Sequence, residues 1–390
     1  MTRVAIDVRC LAEGRMTGVE EYTLNILENL FQLDKKNEYV LFFNSLGSSK
    51  ADFSGLEKYS NVRLKRFHFP SKFLNFCFWY LGFPKIDKMV GGAEIVFLPN
   101  IIFGSVSKKT RLVTTIHDLS FERFPETFSW KRRFWHGIIN SKRICRQADK
   151  IITVSLSTKK DLETLYKIIG QKIEIIPSGI SEKFFSISRN DRKLIEVKER
   201  YGLPYKFILF LGTIEPRKNI IALIRAFDAL KELAIQKNDD NLKRFKLVIA
   251  GQSGWLGEKI ECEIQKAKYK NDIQEVGFIP AEDKPYFLNL ATLFVYPSIF
   301  EGFGFPPLEA MKCGVPVITS NNSSLPEVVG VGGIMVNFDK PDEIQKAIQK
   351  ILENPELYNK LKISGLKKAG EFSWQETAKR FLEVIESLKK

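Results

Sequence analysis

At 390 residues the chain is too long for one ordinary core and suits two domains of similar size, and 44% hydrophobic with 27% charged residues is the composition of a soluble globular protein. Sixty Lys and Arg against 46 Asp and Glu give a formal charge of +14, a balance that suits nucleic acid, an anionic membrane or a phosphorylated substrate. Five scattered cysteines (Cys10, Cys77, Cys145, Cys262, Cys313) without a C-x-x-C spacing, and three distant histidines (His68, His117, His136), argue against a disulfide framework, a zinc site and a histidine metal centre.

Val4–Val8 is a short apolar strand that runs into the loop Leu11–Thr17, with Gly14 and then Gly18. Because Thr2–Arg9 already reads as a strand, no secretory signal is expected, and a reducing, cytoplasmic setting is. A helix is predicted from about Val19 to Leu33, with Leu24, Ile26, Leu27 and Leu30 as its apolar stripe. Strand, glycine loop and helix together can set a phosphate at a helix N-terminus, though many such turns use glycine for packing only. Strands follow at Tyr39–Asn44 and Ile95–Leu98. Between them lies F-L-N-F-C-F-W-Y-L-G-F, Phe73–Phe83, too short to span a bilayer. It reads as a buried helix; the alternative is an apolar surface that meets lipid or a lipid-linked acceptor.

Arg111–His117 is a strand with a polar end, His117 then Asp118, placed where ligands gather in open parallel sheets. The competing reading of His117 is a cap on the following turn. K-R-R-F-W-H, Lys131–His136, sits in a helical stretch expected to continue through Arg143 and Arg146. It reads as a solvated face, with a lipid-surface patch as the alternative. Lys150–Val154 and Ile173–Ile176 close this half as strands, and Ser155–Ser157 caps a helix between them. The polar stretch after Pro177-Ser178-Gly179 is expected to carry the boundary: domains at 1–180 and 206–370, a linker at 181–205, and a C-terminal segment at 371–390.

The second half repeats the rhythm. Strands are predicted at Phe207–Gly212, Lys246–Gly251, Ile273–Pro280, Ala291–Tyr296, Val315–Ser320 and Ile334–Val336, with helices between them, among them Ile220–Leu233. Apolar strands without strict alternation, separated by helices, mean parallel sheets covered on both faces, here two doubly wound α/β domains with a cleft between them. T-I-E-P-R-K-N, Thr213–Asn219, follows a strand end. Arg217 offers a planar fork and Lys218 a point charge, a pair suited to a diphosphate rather than two solvated cations. Tyr296–Glu309, Y-P-S-I-F-E-G-F-G-F-P-P-L-E, brackets a Gly-Phe-Pro loop with Glu301 and Glu309 and leads into a helix-like run, Leu308–Lys312. Glu309 is expected in the first helical turn, where the bland reading is capping and dipole complementation.

The Glu–x7–Glu stretch E-G-F-G-F-P-P-L-E, with C-G-V-P-V-I-T-S at Cys313–Ser320, L-P-E-V-V-G at Leu325–Gly330 and T-I-E-P-R-K-N, resembles the signature of retaining, nucleotide-sugar-dependent glycosyltransferases of family 4, which have the GT-B fold. The match covers the second half strongly and the first more loosely. The resemblance implies two Rossmann-like domains, an acceptor side and a donor side, with the segment from Phe372-Ser373-Trp374 crossing back onto the first. It implies Arg217 and Lys218 on the donor diphosphate, Glu301 on the sugar and Glu309 on the ribose. The backbone around Phe303, Gly304 and Phe305 would also face the donor. His117 would meet the sugar, Gly18 would lie near the phosphates, and Thr213 stands at the strand end where many members carry Gly-Arg. Ser178 likewise replaces the asparagine of a P-N-G. No metal is implied and no Asp-x-Asp is present; no cofactor is expected beyond the nucleotide diphosphate sugar.

T-G-V-E-E-Y and T-I-E-P-R-K-N are most similar to bacterial mannosyltransferases of O-antigen and lipopolysaccharide assembly. That implies GDP-mannose as donor and a glycan or polyprenyl-diphosphate-linked acceptor, met at the inner face of an anionic membrane. A UDP-sugar transferase and a nucleotide-sugar epimerase are the enzyme alternatives. The non-enzyme alternative is a basic nucleic-acid-binding protein, for which no recognition motif is found.

Overall fold

A computed structural model describes residues 1–13, 18–47, 51–255 and 257–389. Gly14 and Thr17, and with them most of the loop expected at Leu11–Thr17, lie outside the described residues. The chain divides into two compact units: residues 1–123, 130–179 and 373–390 form the first, and 124–129 with 180–372 the second.

The first unit is built on a seven-stranded parallel sheet. Its strands are β1 Arg3–Asp7, β2 Glu38–Asn44, β3 Val62–Phe67, β4 Ile95–Leu98, β5 Arg111–Ile116, β6 Lys150–Thr153 and β7 Ile173–Ile175, in the order β3-β2-β1-β4-β5-β6-β7. Every residue of β2 and β4 is buried, as sheets covered on both faces require. β3 was not predicted. V-R-L-K-R-F exposes Arg63, Lys65 and Arg66, so three cations in six residues hide the apolar signal. Charge on an edge strand also discourages pairing with a further chain. The helix Gly18–Leu33 buries Tyr22, Ile26, Leu27, Leu30 and Phe31, while Leu24 falls beside that face. The C-terminal helix Trp374–Ser387 belongs to this unit, where Phe381 lies 4.5 Å, centroid to centroid, from Phe97 of β4.

Two expectations for this unit are overturned. Phe73–Phe83 is not a buried helix. Ser71–Phe76 is α-helical and Cys77–Leu81 a wider π turn, which bury only Leu74, Cys77 and Phe78 and leave most of the remaining aromatics in solvent. The basic stretch does not run as one helix through Arg146. Asn140 takes a left-handed conformation (φ 49°), ending the helix Trp130–Ile139 and capping the next, Ser141–Gln147, through the Arg143 amide.

The second unit carries six parallel strands, β8 Phe207–Leu211, β9 Lys246–Ala250, β10 Ile273–Gly277, β11 Leu293–Tyr296, β12 Val317–Ser320 and β13 Gly333–Val336, ordered β10-β9-β8-β11-β12-β13. The order reverses between β8 and β11, and such a switch point opens a crevice at the carboxyl ends of the strands. Residues 181–205 are not a linker. They belong to the second unit and include the helix Arg192–Arg200, whose Leu194 and Val197 are buried.

Pro177-Ser178-Gly179 is held by the C-terminal helix of its own unit. The Thr377 hydroxyl donates to the Pro177 carbonyl at 2.8 Å, and a Cβ on Gly179 would stand 2.2 Å from the Trp374 amide nitrogen. Backbone, not a flexible side chain, blocks that space. Gly179→Ala is therefore expected to lower unfolding free energy by roughly 1–3 kcal/mol. Gly137→Ala, on an exposed helix position with nothing within 4 Å, should be neutral or gain up to about 1 kcal/mol. Urea unfolding of both variants checks the pair; equal stability would refute the close approach at Gly179.

Candidate active site

The loops that follow β8 and β11 meet at the switch point of the second sheet. After β8 the chain turns through one 3-10 turn, Pro216–Lys218, and Asn219 adopts a left-handed conformation (φ 54°) before the helix Ile220–Gln236 begins. Pro216 presets the turn, and the Asn219 amide side chain ties it down by donating to the Phe338 carbonyl at 2.7 Å. After β11 the chain runs through Ser298 and Glu301 to the helix Phe305–Lys312. The two loops are stitched together by the Ile299 amide, which donates to the Arg217 carbonyl at 2.8 Å.

Glu301 sits at the centre. Its Oε1 accepts from Lys218 Nζ at 2.6 Å and from the Ser298 hydroxyl at 2.6 Å, and its Oε2 accepts from Arg217 Nη1 at 3.2 Å. Arg217 also donates from Nη2 to Glu215 Oε1 at 2.8 Å and from Nη1 to the Phe300 carbonyl at 2.6 Å. Lys218 completes its shell on the Tyr296 hydroxyl at 2.7 Å. Two cations and two carboxylates thus form one compact, largely buried cluster. Burial alone raises the Glu301 carboxyl; the Lys218 ammonium, then the Arg217 guanidinium and the Lys218 and Ser298 hydrogen bonds, outweigh it and hold the group down to about 2. Burial, then the Glu301 charge, push the Tyr296 phenol well above its ordinary range, so it stays neutral.

The loop backbone is fixed from a second layer. The Glu301 amide donates to Ser323 Oγ at 2.9 Å, and the buried Ser324 hydroxyl donates to the carbonyls of Glu301 and Phe303 at 2.9 and 2.7 Å. Gly304 has φ +114°, and a Cβ there would approach Leu325 Cδ2 to 2.8 Å, so both conformation and space call for glycine. Phe303 packs edge-on to Phe305 and Phe372, which leaves the backbone of this segment as its polar surface. The helix starts at Phe305, not at Leu308, because proline is tolerated in a first turn. Glu309 is consequently its fifth residue and buried, outside the first turn where it was expected, and dipole complementation at the N-terminus does not explain it. Pro306 and Pro307 also remove two amides from the helix start, leaving Gly304 and Phe305 to supply donors there.

Of the predicted residues, the second unit brings Arg217, Lys218 and Glu301 into contact; Phe303, Gly304, Phe305 and Glu309 follow Glu301 on the same loop and helix, and Thr213 is exposed after β8. Gly18 and His117 belong to the first unit. Gly18 is exposed and heads its helix. His117 follows β5, and its Nε2 lies 2.9 Å from the Pro99 carbonyl behind β4, which assigns the hydrogen to Nε2 and leaves Nδ1 as acceptor. Burial lowers its pKa, so the ring is neutral. Tyr22 supports it edge-on at 4.8 Å. The cap on the following turn is Asp118, which accepts from Ser120, and not His117. Sequence reasoning assigned no role to Glu215, Tyr296 or Ser298. Glu215 was recoverable from its place two residues before Arg217 in a proline-fixed turn; nothing in the sequence aims the Tyr296 hydroxyl at Lys218.

Glu301 titrates lower in the folded chain than at its ordinary value of 4.5, so its contribution to stability is present above pH 4.5 and lost as pH falls toward 2. The stability gap between wild type and Glu301→Gln should therefore shrink by on the order of 3 kcal/mol across that window. Guanidinium unfolding of both proteins at a series of pH values reads it, and a gap independent of pH would contradict the buried cluster.

The comparisons with known proteins give the family and the fold. Residues 191–368 match the family described as glycosyl transferases group 1, and residues 16–184 match glycosyltransferase family 4. The chain is 31% identical over 284 residues to O-antigen chain mannosyltransferase B of Escherichia coli, covering 71% of each protein. It is 32% identical over 277 residues to the serotype-specific mannosyltransferase WbdA of Escherichia coli, covering 70% of this chain but only 33% of that longer protein. Sucrose-phosphate synthase from Thermosynechococcus elongatus shares the fold over 100% of this chain and 99% of its own, with a TM-score of 0.78 at 19% identity. Switch-point cluster, family matches and fold lead to one conclusion: the chain is a glycosyltransferase of the GT-B fold and belongs to the group 1 and family 4 glycosyltransferases.

Proposed function

We propose that the protein transfers mannose from GDP-mannose to a hydroxyl of a glycan or polyprenyl-diphosphate-linked acceptor in cell-surface polysaccharide synthesis, with retention at the anomeric carbon and without a metal. The observation that carries the reading is the Arg217–Lys218–Glu301 cluster at the carboxyl ends of β8 and β11. The names of the relatives support mannose and the O-antigen setting.

Arg217 and Lys218 would face the donor diphosphate and stabilise the charge that grows as it leaves. Glu301 would accept hydrogen bonds from the sugar, and Glu309 would bind the ribose. Both Glu301 oxygens are already held by cations and a hydroxyl, and its carboxyl is strongly acidic. A carboxylate so engaged is a poor nucleophile, which favours a binding role over a covalent glycosyl intermediate. In the step itself the bond from the anomeric carbon to the diphosphate breaks, the bond to the acceptor oxygen forms on the same face, and the acceptor proton passes to the leaving phosphate. Thr213, Gly18 and the backbone at Phe303, Gly304 and Phe305 would complete donor binding. Neutral His117 would bond the donor sugar.

The test is sugar transfer from GDP-mannose, UDP-glucose and related donors to water and to lipid-diphosphate acceptors, with chelator present. Metal-independent turnover of GDP-mannose is expected, with kcat falling about 10²–10³-fold in Glu301→Ala or Arg217→Ala. Turnover of a UDP-sugar instead would overturn the donor, loss of activity with chelator would overturn metal independence, and inversion in the product would overturn the stereochemistry.

A further inference from the structure

The first unit carries an apolar surface that its own fold leaves uncovered. Between β3 and β4, Phe69, Phe73, Phe76, Trp79, Tyr80, Leu81 and Phe83 are all exposed, Tyr80 at 71%, Phe83 at 65% and Phe73 at 61%. Seven large apolar side chains within fifteen residues are far from the single scattered hydrophobes of ordinary surfaces. They lean on one another: Phe76 stacks on Tyr80 with ring centroids 5.6 Å apart, and Trp79 lies 6.1 Å from Tyr80.

This surface is fixed from beneath. Leu74 and Phe78 reach down into the core of the unit. The Arg9 guanidinium, on the segment after β1, lies 5.4 Å from the centroid of Phe42 and 5.2 Å from that of Phe78. It pairs with Asp7 at 2.6 Å and donates to Asn75 Oδ1 at 3.1 Å. A buried arginine that clamps the inner side of this element holds its outer side in place, so the exposed rings are a built feature and not a frayed loop.

The flanking charge is mainly basic, although Arg63 pairs with Glu38 at 3.5 Å and Arg66 with Glu57 at 3.9 Å. Residues 61–86 contain Arg63, Lys65, Arg66, Lys72 and Lys85 and no carboxylate. Residues 130–147, which follow β5 of the same sheet, contain Lys131, Arg132, Arg133, Lys142, Arg143 and Arg146 and again no carboxylate, and they expose Trp130, Phe134 and Trp135. Residues 68–86 and 130–147 follow β3 and β5 of one parallel sheet, and Arg63, Lys65 and Arg66 lie on β3 itself. Tryptophan and tyrosine with lysine and arginine form the mixture that settles at the headgroup level of a bilayer. Among the described residues no helix is long and apolar enough to cross a membrane.

We propose that Phe69–Phe83 is a membrane-docking surface that seats its aromatic side chains in the interface of an anionic bilayer, with the neighbouring lysines and arginines on the lipid headgroups. The proposal rests on the reading of a lipid-linked acceptor and names the face that approaches it. A protein partner would have to match a patch that is apolar at its centre and basic at its rim; an anionic bilayer meets both requirements at once.

The experiment is co-sedimentation of the full chain with phosphatidylcholine vesicles, with and without phosphatidylglycerol. Wild type should bind the anionic vesicles preferentially, and less so as salt rises. Phe73→Ser/Tyr80→Ser/Phe83→Ser, at three of the most exposed rings, should lower partitioning roughly tenfold or more while leaving the thermal transition and donor hydrolysis unchanged. Lys65→Glu/Lys72→Glu should remove the preference for phosphatidylglycerol. Equal binding by the triple variant, or no anionic preference in wild type, overturns the proposal. So does a wild-type dimer that the triple variant turns into a monomer with vesicle binding intact, since the patch would then cover a second copy. Vesicle binding without GDP-mannose turnover would fail the proposed reaction alone, and turnover without vesicle binding would fail the docking surface alone.

Discussion

The switch point of the second sheet depends on one buried carboxylate held between two cations. Glu301 is ionised in a place where burial opposes ionisation, and it stays so because Lys218 Nζ and Arg217 Nη1 stand 2.6 and 3.2 Å away. Removing the carboxylate would take from Lys218 its ion-pair partner at 2.6 Å and from Arg217 one of two, and an uncompensated buried charge is far more costly than a surface pair. The parallel sheet makes the arrangement available, because β8 and β11 are neighbours in space although 81 residues lie between Leu211 and Leu293. The loops after them can therefore deliver oppositely charged side chains to one point.

The cluster would also shape the proposed mechanism. On the proposed reading, a diphosphate reaching Arg217 and Lys218 would not meet bare cations; it would compete with Glu215 and Glu301 for their donors. Pre-paired donors are oriented before the ligand arrives, so little ordering remains to be done on binding. A lysine in place of Arg217 could not reach Glu215, Glu301 and the Phe300 carbonyl together, since a planar fork is what lets one side chain span three acceptors. The same network ties Glu301 to Ser298 and, through its amide, to Ser323. The loops after β8 and β11 are thus one mechanical unit.

Much of this was legible in the sequence. Long apolar strands at Phe207–Gly212 and Ala291–Tyr296, each followed by a polar loop and a helix, identify the parallel sheet and put Arg217, Lys218 and Glu301 at its carboxyl edge. The errors have physical causes. β3 was invisible because Arg63, Lys65 and Arg66 dilute an edge strand that is buried on one side only. Phe73–Phe83 was read as buried because composition reports how apolar a segment is, not which neighbours cover it. Glu309 was placed one turn early because Pro306 and Pro307 were read as preceding the helix when they stand inside its first turn. Side-chain partnerships across long separations, such as Tyr296 with Lys218, carry no local signal at all.

Calorimetric titration with GDP and with GMP, on wild type and on Lys218→Met, tests the central claim most directly. If Arg217 and Lys218 hold the donor's second phosphate, GDP binding should fall about a hundredfold in the variant, ~2–3 kcal/mol, while GMP binding changes little. If GDP binds the variant as tightly as wild type, with the fold intact, the cluster is a structural ion network and the donor diphosphate is held elsewhere.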